Sequence, residues 1–438
     1  MKPAQERFKW FHCCGLAGFA ISLNAFGADK SGPLNPFVIA GGAFTEVSQF
    51  GSGPVLTMSW GDYDGDSDLD LAVGNNAGGG RLFTNNGDGT FTGANQFGSG
   101  PFAPTMFALA WADFDNDGDL DMAVGNVGTN KLYINNGDGT FTSNDRFGAL
   151  NTITMAWADF DLDGDLDLAV GNGILGGNEQ NFLFVNNGDG TFTERAEFGA
   201  NQTQTMAWGD FDRDGDPDLA VGNGGFGFDQ ANALYVNNGD GTFTARPEFG
   251  TGIGQSRDTT SLQWGDFDND GDLDLACGNE HSAPSNYLYV NNLNDNASLR
   301  VHLVGHYFDR GSGFSNRDGI GARISVYESG GLGDSDRLLG YREIEAHSGF
   351  SPQNAIDAHF GLQGRSKVDL RIVWPGSGDS HLTQDLRGTP VGQRLVIHEG
   401  PTVPTISQWG VFVMLLGLLV AAALVQMRRV RRTVSVSS

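Results

Sequence analysis

The residues best placed to do chemistry are carboxylates, and their spacing is regular. Five nine-residue loops carry aspartate at every second position. They hold Asp62, Asp64, Asp66, Asp68 and Asp70; Asp113, Asp115, Asp117, Asp119 and Asp121; Asp159, Asp161, Asp163, Asp165 and Asp167; Asp210, Asp212, Asp214, Asp216 and Asp218; and Asp266, Asp268, Asp270, Asp272 and Asp274. These loops contain 25 of the 53 acidic residues of the chain. Alternating carboxylates on a tight loop can converge on one hard cation, with the side chains of positions 1, 3, 5 and 9 and the backbone carbonyl of position 7 as oxygen ligands. Glycine at position 6 (Gly118, Gly164, Gly215, Gly271) permits the sharp turn. Calcium, about five ions per chain, is the expected cofactor. Magnesium is disfavoured because it demands a tighter octahedron and keeps its waters, and transition metals because no His or Cys joins the loops. The competing reading is a solvated acidic hairpin, in which five carboxylates would repel one another without a counter-charge.

An EF-hand is excluded by position 12. It requires a bidentate Glu there, and the residues are Val73, Val124, Val170, Val221 and Cys277. The loop therefore joins two strands. The first loop departs from the pattern, with Ser67 at position 6 and Gly65 two residues earlier, which predicts a distorted or weaker site. Pro217 at position 8 of the fourth loop is not at a ligand position. The Asn-Gly-Asp-Gly stretches containing Asp88, Asp138, Asp189 and Asp240 are read as hairpin turns, not further metal sites, since Asn and Gly there meet a backbone need.

The elements that must position the loops form a repeat. Each loop follows a tryptophan (Trp60, Trp111, Trp157, Trp208, Trp264), and the first aspartates are 51, 46, 51 and 56 residues apart. Within a unit, Thr154–Trp157 leads into the loop, Leu166–Val170 leaves it, Asn181–Val185 forms a third strand, and a fourth follows the turn at Asn187–Gly190. Four strands in about 50 residues fit a β-propeller blade. Aromatic residues such as Trp111 and Phe114 are expected to pack blade against blade. The fifth unit lacks its fourth strand, while Phe44–Gly51 matches Phe192–Gly199 at five of eight positions. This predicts that the N-terminal strand completes the last blade and closes a five-bladed ring. The units resemble FG-GAP/VCBS repeats of the integrin α-chain type over residues 41–293. That resemblance implies that the loops hold calcium on the blades through positions 1, 3, 5 and 9.

Composition bounds the rest. The formal net charge is −27, which excludes a nucleic-acid binder held by basic patches. Three cysteines cannot make a disulfide framework, and Cys277, where other repeats have Val, is expected to be a buried thiol. Residues 1–27 read as a signal peptide: Lys2, Arg7 and Lys9 precede an apolar stretch, and Ala25 and Gly27 suit cleavage after Gly27. Phe11 and His12 before Cys13 do not suit lipidation. Residues 409–427 form an apolar run followed by Arg428, Arg429, Arg431 and Arg432. Its roughly 28 Å as a helix would span a bilayer with the tail inside and the body outside. With Val403–Ile406 and Trp409-Gly410, residues 403–432 resemble a bacterial sorting tail of the IPTL-CTERM kind, which implies an exosortase-like sorting enzyme as partner. A permanent anchor is the alternative.

Residues 297–398 break the repeat and alternate apolar and polar positions between Gly-rich links, which predicts a small β domain. Three stretches, Asn316–Arg323, His359–Leu362 and Val373–Pro375, resemble the ASPIC/UnbV domain, with departures around Gly330–Gly333 and at Pro375–Gly378. Asp318, Arg323, His347 and His359 are its polar candidates, but none forms a nucleophile-and-base pattern, and His359 is read as structural. The fold expected is thus all-β: a calcium-loop propeller, a small β domain and one C-terminal transmembrane helix. The function expected is an exported, calcium-binding, non-enzymatic surface protein, anchored in the membrane or sorted to the cell surface, that offers a protein or glycan ligand a recognition or adhesion surface. The alternatives are a secreted hydrolase or lyase with the propeller as scaffold, and a periplasmic assembly factor held at the inner membrane.

Overall fold

The structure is a computed structural model that describes residues 50, 54–76, 79–97, 105–174, 177–224, 230–246, 258–280, 286–293, 298–305, 315–316, 318–344, 357–375 and 382–400. The signal peptide at 1–27, most of the 44–51 segment and the apolar span at 409–427 lie outside the described residues. Among the described residues no helix is long and apolar enough to cross a membrane.

Five antiparallel sheets follow one another. The first holds β1 (Val55–Gly61), β2 (Asp70–Asn75), β3 (Gly80–Asn85) and β4 (Phe91–Phe97). The second holds β5 (Met106–Ala112), β6 (Asp121–Asn126), β7 (Lys131–Asn135) and β8 (Phe141–Asp145). The third holds β9 (Thr152–Ala158), β10 (Asp167–Asn172), β11 (Glu179–Asn186) and β12 (Phe192–Asn201). The fourth holds β13 (Thr203–Gly209), β14 (Asp218–Asn223), β15 (Ala233–Asn237) and β16 (Phe243–Arg246). The fifth keeps three described strands, β17 (Thr259–Gly265), β18 (Asp274–Asn279) and β19 (Tyr287–Tyr289). The order within each sheet is sequential, as in a propeller blade.

The strand sequences explain this layering. The second strand of the inner blades, Asp-Leu-Ala-Val-Gly-Asn in β10 and β14, is buried at every position because neighbouring blades cover both of its faces. The outer strands β8 and β16 are polar and largely exposed. Neighbouring blades join through the inner strands, β1 with β5, β5 with β9, β9 with β13 and β13 with β17. The tryptophans peg these contacts. The indole N–H groups of Trp157, Trp208 and Trp264 donate to Ala110, Ala156 and Ala207 of the blade before, at 3.3, 3.1 and 2.9 Å.

Among the described residues the closed ring expected from the sequence is not seen. The described residues show no packing of β17 on β1 to match the four interblade contacts. Both end faces stay open. Met58 and Trp60 are 41% and 39% exposed, whereas Met155 and Trp157 are 0% and 5%, and Phe267 at the other end is 54% exposed against 2% for Phe114. Phe50 packs on Phe83 and Phe91 of the first blade, the place that Phe147 takes on Phe184 and Phe192 of the third.

The C-terminal domain is a pair of sheets. One has β20 (Ser298–Val304) between β23 (Ala358–Gly361) and β26 (Gln393–His398), with β20 and β26 parallel. The other orders β22 (Leu338–Glu343), β21 (Arg323–Glu328), β24 (Lys367–Val373) and β25 (Thr383–Pro390). Its core includes Leu299, Val301, Ile324, Leu370 and Trp374.

Candidate metal centres

Each acidic loop connects the first and second strands of its blade, and the hydrogen bonds that shape it recur. The position 9 carboxylate stands at the start of the second strand. Asp167 accepts the Phe160 N–H at 3.2 Å and the Asn186 N–H at 2.8 Å; Asp121, Asp218 and Asp274 accept the corresponding pairs. The position 1 carboxylate turns back to accept the position 6 N–H, as in Asp62 with Ser67, Asp113 with Gly118, Asp159 with Gly164 and Asp266 with Gly271. Loops are stitched together as well: the Asn186 amide donates to the Phe114 carbonyl of the preceding loop at 2.7 Å, and Asn237 does the same to Phe160.

This frame brings three carboxylates within 4.8 Å of one another in every loop: Asp113, Asp115 and Asp121; Asp159, Asp161 and Asp167; Asp210, Asp212 and Asp218; Asp266, Asp268 and Asp274; and, in the first, Asp62, Asp64 and Asp66. Positions 1, 3 and 9 thus converge in four loops. Position 5 is outside those four clusters; in the first loop as in the others its carboxylate accepts the position 7 N–H, as Asp66 does from Asp68 and Asp163 from Asp165, both at 2.9 Å. The position 7 side chain leans on the hairpin turn of its own blade, so that a Cβ on Gly188 would lie 2.5 Å from Asp165 Oδ2.

The first loop follows the backbone of the others but gathers positions 1, 3 and 5 instead of 1, 3 and 9. Gly65 at position 4 has φ of 67° where Asn116, Leu162, Arg213 and Asn269 have 59° to 65°, and Ser67 takes a positive φ of 75° where the other loops have Gly. The Asn-Gly-Asp-Gly stretches are hairpin turns, each Asp being used locally: Asp189 accepts the Thr191 N–H at 3.0 Å. Cys277 is buried, as expected.

The electrostatics of these clusters call for a cation. Burial first, and neighbouring loop carboxylates after it, push Asp62 up to about 7, Asp159 to about 8, and Asp70, Asp121 and Asp167 to about 9. Position 3 rises less, to about 6 for Asp64, Asp115, Asp161 and Asp212. The buried Oδ1 atoms of Asp62, Asp210, Asp212 and Asp266 have no hydrogen-bond partner. An orphaned, buried carboxylate oxygen in a three-carboxylate cluster is what a hard, oxygen-seeking ion satisfies, so the residues present fit calcium.

The sequence did not reveal what lies over the loops. The C-terminal domain is docked on them. Arg323 pairs with Asp113, and Arg300 pairs with Asp266 at 2.6 Å. The Gly361 N–H donates to Asp210 Oδ2 at 2.7 Å. Ser298 and His359 both reach the Gly271 carbonyl, at 2.7 and 3.0 Å. Arg342 feels the charge of Asp210 most strongly among the acids and Asp159 next, and Tyr341 enters the core between the second and third blades. Of the polar candidates in this domain, Arg323 and His359 are therefore committed to the interface. Burial holds His359 down at about 4, so it is neutral. Asp318 is exposed, and His347 lies outside the described residues. A charge signal was present in the sequence: Arg300 and Arg323 each stand between apolar residues outside the acidic repeats.

Four segments, residues 62–124, 113–170, 173–221 and 222–277, match the FG-GAP-like repeat, and residues 312–404 match ASPIC and UnbV. No curated protein matches the chain. Among solved structures, one describing recognition of non-reducing terminal N-acetylglucosamine by an Agrocybe aegerita lectin is 18% identical, covers 76% of this chain and 80% of that chain, and has a TM-score of 0.38. BBS1N in complex with ARL6DN is 12% identical, covers 78% and 94%, and has a TM-score of 0.31. Likenesses this distant assign neither ligand nor chemistry. The chain carries FG-GAP-like repeats on propeller-type blades, followed by an ASPIC and UnbV domain.

Proposed function

We propose that this chain is a calcium-stabilised protein that works outside the cytoplasm as a recognition or adhesion surface and is not an enzyme. The observation that carries the reading is the recurrence in all five loops of a three-carboxylate cluster with at least one buried member, and with unsatisfied inner oxygens in the first, fourth and fifth. Asp113, Asp115 and Asp121 and their counterparts in the third to fifth loops would hold the ion, with Asp62, Asp64 and Asp66 in the first. Bound calcium supplies the counter-charge that lets the buried carboxylates stay ionised. FG-GAP repeats support a surface role, and the polar outer strands leave an exposed face on which a protein or glycan could be recognised. Export through residues 1–27, likeness to VCBS repeats, and sorting or anchoring through residues 403–432 belong to the same reading.

Arrays of glycans and envelope proteins probed with the full chain test it. Saturable binding in calcium that is lost on chelation is expected. Turnover of a polysaccharide or lipid without stable binding would favour the hydrolase instead. For export, the chain recovered from cells is expected to begin at Ala28, and an intact leader on the mature protein would contradict it.

A further inference from the structure

We propose that the second, fourth and fifth loops are composite cation sites, in which the C-terminal domain holds one oxygen of the position 1 carboxylate and so fixes its orientation toward the ion. Ion binding and domain docking are then coupled. The inference rests on the calcium reading of the loops and adds to it the residues that complete them.

The fourth loop shows the construction most plainly. In the other loops the position 1 carboxylate accepts the N–H of position 6 of its own loop. In the fourth, the amide donated to Asp210 Oδ2 is Gly361, 151 residues away, while Asp210 Oδ1 is buried without a partner. Only glycine fits at 361, because a Cβ there would lie 2.0 Å from Asp210 Oδ2 and 2.3 Å from the Arg213 Cα. In the fifth loop Arg300 joins the Gly271 N–H on Asp266 Oδ2, and the buried Oδ1 has no hydrogen-bond partner. That loop is also held from outside through its Gly271 carbonyl. In the second, Arg323 joins the Gly118 N–H on Asp113 Oδ2, and the arginine and aspartate side chains are 16% and 4% exposed. A guanidinium or amide on one oxygen fixes the carboxylate's orientation, as outer partners do for metal ligands. By linkage, whatever docking adds to ion affinity, the ion adds to docking.

The test uses the full chain. Calcium titration calorimetry compares the unaltered protein with the Arg300→Met/Arg323→Met double variant, with Arg300→Lys/Arg323→Lys as the conservative control. Two of the sites are expected to weaken by about tenfold in the Met variant, with partial recovery in the Lys variant and no change at the first and third loops. Hydrogen exchange of the unaltered protein supplies a second reading that does not depend on any variant folding: the Gly361 amide is expected to be protected in calcium and to exchange faster in chelator. Unchanged affinities in a folded Met variant, or Gly361 exchange indifferent to calcium, would overturn the composite sites while leaving the loops as calcium sites. Absence of calcium binding by the unaltered chain would overturn both.

Discussion

At the scale of single residues, the nine positions of a loop divide their labour. Position 9 belongs to the fold before it belongs to an ion, because Asp167 satisfies two backbone N–H groups, while Asp161 at position 3 is exposed and belongs to the cluster. Asp167→Ala is therefore expected to cost about 2–4 kcal/mol with or without calcium, through the buried donors it orphans. Asp161→Ala is expected to lower stability only in calcium. Urea melts of both variants in calcium and in chelator separate the two roles, and equal losses in both media for Asp161→Ala would deny it a ligand role. The raised carboxylates also fix a sign. Asp121 and Asp167, pushed up to about 9, bind protons in the folded state that the unfolded state has released above about 4. The ion-free protein is thus expected to lose stability as pH rises from about 4 to about 9, and calcium to oppose that loss. Chemical melts in chelator across that range check the direction, and a rise in stability would contradict it. The alternation of aspartate was legible in the sequence as a cation loop. The absence of position 5 from four of the clusters was not, since spacing alone does not show which way each carboxylate turns.

At the scale of elements, four strands to a blade, sequential order and the hairpin turns could all be read from the chain. A continuous apolar run flanked by glycine and asparagine has few ways to be buried other than as a middle strand. The turns are tied to the loops by contact as well as by sequence. Gly188 has φ of 68° and faces Asp165, whereas Gly190 has φ of 77° and open space around the place of a Cβ. Gly190→Ala is expected to cost about 1 kcal/mol, the backbone penalty alone. Gly188→Ala is expected to cost more and to weaken the third calcium site by displacing its position 7 residue. Melting midpoints and calcium titration of the two variants measure the difference, and equal effects would mean that the turn and loop are independent. Ring closure was misread because sequence likeness of the 44–51 segment to a fourth strand says which pairing is possible, not whether the open faces at Trp60 and Phe267 meet. That depends on the angle each blade makes with the next.

At the scale of the whole molecule, the C-terminal domain was legible as a separate β unit, but its seat on the acidic loops was not. The contacts that place it join residues far apart in the chain: the Asp113 N–H donates to Glu343 across 230 positions. A charge imbalance between the repeats and this domain was the available sign, and docking is its physical outcome, since arginines of one unit neutralise the inner carboxylates of the other. The net charge of −27 is thus unevenly distributed. The loop carboxylates at position 3 face the clusters, and those at position 1 of the second, fourth and fifth loops are shared with the second domain. The most direct test of this account is elemental analysis of the purified full chain after exchange into calcium, joined to thermal melts of the same sample before and after chelation. About five calcium ions per chain and a large, calcium-reversible rise in melting temperature are expected; fewer than about three ions, with melting unchanged by chelation, would contradict the loops as structural calcium sites.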